Sequence, residues 1–167
     1  MSPAKTKRIL GIDPGSHHLG LGCIEKRGSQ LQLVFAEIIH APKNHGLYAR
    51  LDHIYGRLKN RIDELVPDEV VLENTFHGKN TKSAFYLVMS RGVATAACLG
   101  RGIEFFEYAP TQVKSAVTGY GRADKSQVKK MIDLLLGVSL DLGFDATDAI
   151  AVAICHANTM RVKPLSC

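Results

Sequence analysis

The sequence lacks any uncharged apolar run long enough to cross a bilayer. Its most apolar stretch near the end, Ala149 to Met160, falls well short of the roughly 20 residues a spanning helix needs. No membrane association is therefore expected. Cysteine is sparse and unpatterned. Cys23, Cys98, Cys155 and Cys167 form no CxxC pair, so neither a zinc site nor a disulfide framework is indicated. Reduced thiols in a cytosolic protein are the simplest reading. No heptad or Gly-X-Y period runs through the chain, which excludes coiled-coil and collagen-like architectures. Internal repeats, linkers and low-complexity tracts are absent too. The basic start, MSPAKTKRILGID, resembles a secretory leader only superficially. Its apolar run, Ile9 to Ile12, stops at Asp13, so no leader is expected.

What is present is a chain of 167 residues, 46% hydrophobic and 22% charged. That length suits one domain with a substantial core, and the composition argues against global disorder. A net charge of +5 points weakly to an anionic partner; plain solubility would look similar. The distribution says more. From Gln112 to Lys130 the chain carries Lys114, Arg122, Lys125, Lys129 and Lys130 against Asp124 alone. From Phe76 to Arg91 it carries Lys79, Lys82 and Arg91 with no acid. Both segments are candidates for contact with phosphates.

Hydrophobic patterning gives the order β-β-β-α-β-α-β-α-α and a last helix. Lys7–Asp13 reads as a strand ended by Pro14-Gly15, and Leu19–Glu25 and Gln30–His40 as two more, joined through Lys26-Arg27-Gly28-Ser29 as a hairpin. Leu47, Leu51, Ile54, Leu58, Ile62 and Leu65 follow helical spacing, with Pro67 as a stop. Glu69–Glu73 reads as a short buried strand, Thr81–Leu99 as a helix rich in small residues, and Ile103–Tyr108 as a fifth strand. Helices follow over Thr111–Val117, Lys125–Leu136 and about Asp145–Met160. A meander followed by two crossovers implies an α/β fold: a five-stranded mixed sheet, three strands antiparallel and then two parallel, with helices on both faces. Residues 1–7 are expected as a flexible extension overlapping the first strand's opening lysine, and 161–167 as a tail, around one domain.

Four acids stand out in that frame. Asp13 and Glu73 lie at the carboxyl ends of two strands expected to be neighbours, where ligand sites form in parallel sheets. Asp145 and Asp148 share a face at the start of the last helix. Two like charges about 4 Å apart repel by roughly 4 kcal/mol at an effective dielectric of 20, so a gathering of all four needs protons or cations. Carboxylate oxygens with open positions suit Mg²⁺ or Mn²⁺. Two such ions can clamp an in-line phosphoryl displacement. Blander readings stand beside this one. Asp145-Ala146-Thr147-Asp148 also fits a helix cap. Asp13 also suits a turn before Pro14-Gly15, and Glu73-Asn74 a plain strand exit.

GIDPGSHHLGLG (11–22), VLENTF with GKN (71–80), QVKSAVTGYGRADKSQV (112–128) and DATDAIAVAI (145–154) together resemble the RuvC Holliday-junction resolvases of bacteria, in the family's order. GIDPG alone also resembles the first phosphate loop of actin-like ATPases, which need a second half for which 167 residues give no room. The resemblance implies a ribonuclease-H-like fold, a homodimer, two Mg²⁺ per site with Mn²⁺ as substitute, and cleavage of four-way DNA junctions. It also implies a bacterial, cytoplasmic, nucleoid-associated setting and cooperation with the RuvA–RuvB branch-migration complex. The family's catalytic, metal-binding acids map onto Asp13, Glu73, Asp145 and Asp148. Lys114 and Lys125 match basic positions near the bound strand, Lys125 steadying charge on the scissile phosphate. Phe76 matches an aromatic that stacks on unpaired bases at the junction centre. Lys79, Lys82, Arg122 and Lys129 are further expected DNA contacts.

Other residues have weaker readings. His17 and His18 suit a solvated loop and His156 a core or rim position. Gly15, Gly20 and Gly22 suit a phosphate cradle, and Cys98 and Cys155 buried small apolar sites. The helix Thr81–Leu99 is either a dimer face or a packing element on the sheet. Two rival functions remain open at this point: a ribonuclease-H-like nuclease of the YqgF type acting on RNA, and a non-catalytic junction-binding module.

Overall fold

A computed structural model describes residues 6–74, 81–139 and 141–160. Ten elements follow the expected order: β1 (Lys7–Asp13), β2 (His18–Arg27), β3 (Gln30–His40), α1 (Leu47–Leu65), β4 (Glu69–Glu73), α2 (Thr81–Leu99), β5 (Glu104–Tyr108), α3 (Pro110–Thr118), α4 (Lys125–Leu136) and α5 (Phe144–Thr159). The sheet runs β3-β2-β1-β4-β5. β1, β2 and β3 pair antiparallel, whereas β4 joins β1 and β5 joins β4 in parallel. The β2–β3 turn is tighter than the expected four-residue link. Arg27 pairs with Gln30, and Gly28 takes φ +60°, a conformation that glycine adopts without the Cβ clash of other residues. Lys7, at the border of the expected extension, is the first residue of β1 and pairs with Glu69.

Strand alternation divides the core in two. Leu10, Ile12, Leu19, Leu21, Val70 and Leu72 face α1 and α2. Ile9, Ile24, Val71 and Phe106 face α3, α4 and α5. α5 is buried nearly all round, as a helix with apolar and small residues on every side must be. It lies unusually close to the sheet. A Cβ on Gly11 would stand 1.9 Å from the Ala149 carbonyl oxygen, one on Gly20 2.0 Å from that of Asp145, and one on Gly22 2.5 Å from the Ile150 side chain. Gly11 pairs with Gly22 across β1 and β2, so the three glycines form one notch. Gly20 and Gly22 are therefore filled by a helix, which corrects the phosphate-cradle expectation for both. Among the described residues no helix is long and apolar enough to cross a membrane.

Candidate active site

The notch determines where the acids go. Asp13 is the register partner of Gly20, and the Asp145 carbonyl covers Gly20. The first turn of α5 thus lies directly over the end of β1. Asp148, one turn along on the same helix face, follows it. Glu73 enters from β4, one residue beyond the paired positions Ile12 and Leu72. By alternation Asp13 and Glu73 both face α5. Asp145 does not cap the helix: the N-cap is Gly143, without a side-chain bond, and Asp145 lies inside the first turn.

Electrostatics show how closely the four are gathered. Burial, then the charges of Asp148, Asp145 and Glu73, push the Asp13 carboxyl up to about 7, against an opposing pull from Lys125. Burial and Asp148 also raise Glu73, opposed by Lys114, Lys125 and Arg91. Asp13 is thus the carboxylate that feels all three others. Among the described residues no three His, Cys, Asp or Glu side chains form a closed metal-ligand set. The acids share a field without touching. Lys125 Nζ donates to Asp148 Oδ2 at 2.8 Å. Burial pulls the Lys125 ammonium down, but the Asp148 bond and the charges of Asp148, Asp13 and Asp145 outweigh it and leave it raised.

A cleft of about 250 Å³ opens beside them, lined by Glu73, Lys114, Lys125 and Asp148 over a floor of Val113, Val128 and Ala151. Its acids come from the sheet and α5, its cations from α3 and α4. Arg122 is exposed in the α3–α4 turn. Lys129 instead pairs with Asp133 at 2.7 Å, so its side chain is engaged on its own helix. Lys82 is exposed near the start of α2, its ammonium 5.7 Å from the Tyr86 ring centroid. Phe76 and Lys79 lie outside the described residues.

Two features escaped the sequence reading. Phe144 stands exposed beneath the Lys125 ammonium, 5.3 Å from ring centroid to Nζ. At the other end of α5, His156 Nε2 bonds Glu69 Oε2 at 2.9 Å and its Nδ1 bonds the Tyr108 hydroxyl at 2.8 Å. An acid opening a buried strand was the available signal, because such a group needs a partner.

The family model described as "Crossover junction endodeoxyribonuclease RuvC" matches residues 9–156. A relative of that name from Rubrobacter xylanophilus is 42% identical over 98% of this chain and 92% of its own. One from Geotalea uraniireducens is 45% identical over 91% of this chain and 89% of its own. The structure of Thermus thermophilus RuvC in complex with a Holliday junction superposes with a TM-score of 0.86 at 29% identity, covering 93% of this chain and 95% of that one. Acids brought together over a cation-flanked cleft, on this sheet order and along this much matching sequence, place the chain in the RuvC family of crossover junction endodeoxyribonucleases.

Proposed function

We propose that this chain resolves Holliday junctions by symmetric, metal-dependent phosphodiester hydrolysis during recombination and repair. The observation that carries the reading is the convergence of Asp13, Glu73, Asp145 and Asp148 from three elements beside the Lys114–Lys125 flank. The donor set suits a hard divalent cation, because every donor is a carboxylate oxygen. Partial burial of mutually repelling acids, strong enough to raise Asp13 to about 7, creates the demand for one. Asp13, at the electrostatic centre, would hold the ions together with Glu73, Asp145 and Asp148. When bound, a pair of Mg²⁺ ions, or Mn²⁺ in their place, supplies activation of the attacking water and stabilisation of the leaving oxygen, giving 5′-phosphate and 3′-hydroxyl ends.

The chain's own cations do the rest. Lys125 sits beside Asp148 and is placed to offset charge growing on the scissile phosphate. Lys114, which lines the same cleft from α3, holds the strand, with Arg122 and Lys82 as outer phosphate contacts that position without reading sequence. From the sequence, Phe76 is assigned to the junction centre and Lys79 to a further DNA contact.

Paired nicks in opposed strands call for a two-fold dimer, and α2 suits that role. Ser90, Arg91, Ala94, Ala97 and Cys98 bury one of its faces. Phe85, Val88, Gly92, Ala96 and Leu99 stay exposed along another at helical spacing. The buried face fits the packing reading of this helix, and the exposed stripe supports the dimer reading. Small residues at the centre of the stripe allow a second helix to approach closely, and no atom lies within 4 Å of a Cβ built on Gly92. Val88→Glu is expected to give a monomer by light scattering. Cooperation with RuvA–RuvB, in a bacterial cytoplasm, belongs to the same proposal.

The test is a synthetic mobile four-way junction with Mg²⁺. Symmetric, religatable nicks are expected, with single-stranded RNA left intact. Asp13→Asn should bind the junction and not nick it. Retained nicking by that variant, or a preference for RNA, overturns the reading.

A further inference from the structure

Phe144 is the first residue of α5, adjacent to Asp145, and its side chain is 57% exposed. An aromatic ring held mostly in water adds little to the core. Its recorded partner is Lys125, whose Nζ lies 5.3 Å from the ring centroid. The same ammonium donates to Asp148 at 2.8 Å. Residues 144 and 148 stand one turn apart on α5, so a single helix face grips Lys125 twice, once by charge and once by a π face.

The two grips respond differently to a divalent cation. A cation at Asp148 competes with the ammonium for the carboxylate oxygens and loosens the ion pair. The negative face of the ring carries no net charge to be competed for, and it holds an ammonium at this range. Without the ring, a flexible four-carbon stem would let the ammonium range over the mouth of the cleft.

We propose that Phe144 is a positioning residue. It keeps the Lys125 ammonium over the cleft once Asp148 is engaged elsewhere, so that the charge is already in place when the strand enters. This rests on the role given to Lys125 above and deepens it.

The experiment compares Phe144→Ala, Phe144→Leu and Phe144→Tyr in the full-length protein, each with Lys125 intact and with Lys125→Ala. Cleavage of a four-way junction is followed in single turnover, and half-saturation is read from the same titration. Ala and Leu should lower the maximal rate about three- to tenfold, leave half-saturation unchanged, and be rescued by Tyr. With Lys125→Ala none of the three should matter further. A second readout needs no turnover. The Lys125 ε-methylene protons should show an upfield ring-current shift with Phe or Tyr and not with Leu, and the shift should persist when Mg²⁺ is added without DNA.

An unchanged rate in Phe144→Ala overturns the proposal, as does a shift lost on adding Mg²⁺. Raised half-saturation at an unchanged maximal rate also overturns it, because the ring would then be contacting bases. An equal loss in the Lys125→Ala background overturns it as well, since Phe144 would then act independently of the lysine. If Lys125→Ala cleaves normally, the role of Lys125 itself falls and takes this inference with it. If Lys125→Ala is slow while Phe144→Ala is not, only the inference falls.

Discussion

Glu69 and Glu73 lie on the same strand and the same face, one at each end of β4. Glu69 is 3% exposed and fully engaged: Lys7 reaches it from β1 and His156 Nε2 from α5. Burial holds His156 below the usual imidazole range despite the opposing pull of Glu69. The chain is satisfied when the Tyr108 hydroxyl donates to Nδ1 and Nε2–H donates to the carboxylate. At the other end, Arg91 reaches Glu73 but donates to its backbone oxygen. No partner of the Glu73 carboxylate is seen among the described residues, and burial and Asp148 raise its pKa. Burial alone therefore does not mark a functional acid. One end of β4 closes its charges with partners and fastens α5 to the sheet. The other leaves the Glu73 carboxylate without a bonded partner among the described residues and its neighbouring acids only partly offset by Lys125 and Lys114, where an added cation gains most.

Exchanging the two roles is the sharpest way to break this comparison. Glu73→Gln should reduce junction nicking at least about 100-fold, beyond the 10–100-fold typical of groups that merely support metal ligands, with thermal stability kept or improved. Glu69→Ala should do the reverse. Leaving His156 and Lys7 without their acceptor should destabilise the fold by about 3 kcal/mol, read by urea unfolding, while nicking below the transition stays within a few-fold of wild type. If Glu69→Ala abolished nicking in a folded protein, the two ends would not be separable.

The notch between the two ends gives the next largest effect. Gly20→Ala places a methyl group 2.0 Å from the Asp145 carbonyl, which is backbone and cannot swing aside. Lifting α5 at its first turn should destabilise the fold by roughly 1–3 kcal/mol and lower nicking together with it, because Asp145 and Asp148 move with the helix. Gly56→Ala, on the exposed face of α1 where no atom lies within 4 Å of the added Cβ, is the matched control: it should keep or slightly raise stability and leave nicking unchanged.

The sequence made the strand order and the four acids legible for physical reasons. Period-2 and period-3.6 patterns are local, parallel crossovers have one hand, and motif order puts Asp13 and Glu73 at strand ends and Asp145 and Asp148 at a helix start. The contacts that cross between elements were less legible. Gly20 and Gly22 looked like a loop's phosphate cradle because spacing alone does not say whether a ligand or a helix fills the gap. Their alternation within a strand was the clue, since it puts both on one face. Lys129, expected as a DNA contact, pairs with Asp133 one turn along its own helix, a contact that a count of charges does not show. Phe144 carried no local signal, because its partner Lys125 lies on another helix.

The most gradual expected effect concerns pH, and here the two ends should differ in sign. Asp13 has its pKa raised from 3.8 to about 7 in the folded protein. Metal-free, the native state therefore holds a proton that the unfolded chain has released. The stability this contributes is complete below the unfolded value and is lost as pH rises through about 7, at no more than about 1.4 kcal/mol per pH unit. His156 is lowered from 6.5, so the native state binds its proton less readily than the unfolded chain. Its contribution is complete above 6.5 and is lost as pH falls through the lower folded value. Urea midpoints from pH 4.5 to 8 should accordingly lose their alkaline-side decline in Asp13→Asn or on adding Mg²⁺. The acid-side decline should survive both changes and shrink in His156→Gln. A Mg²⁺ effect equal at pH 5 and pH 7.5 would mean that the cation is not answering the charge on these acids, and the contrast between the two ends of β4 would lose its electrostatic basis.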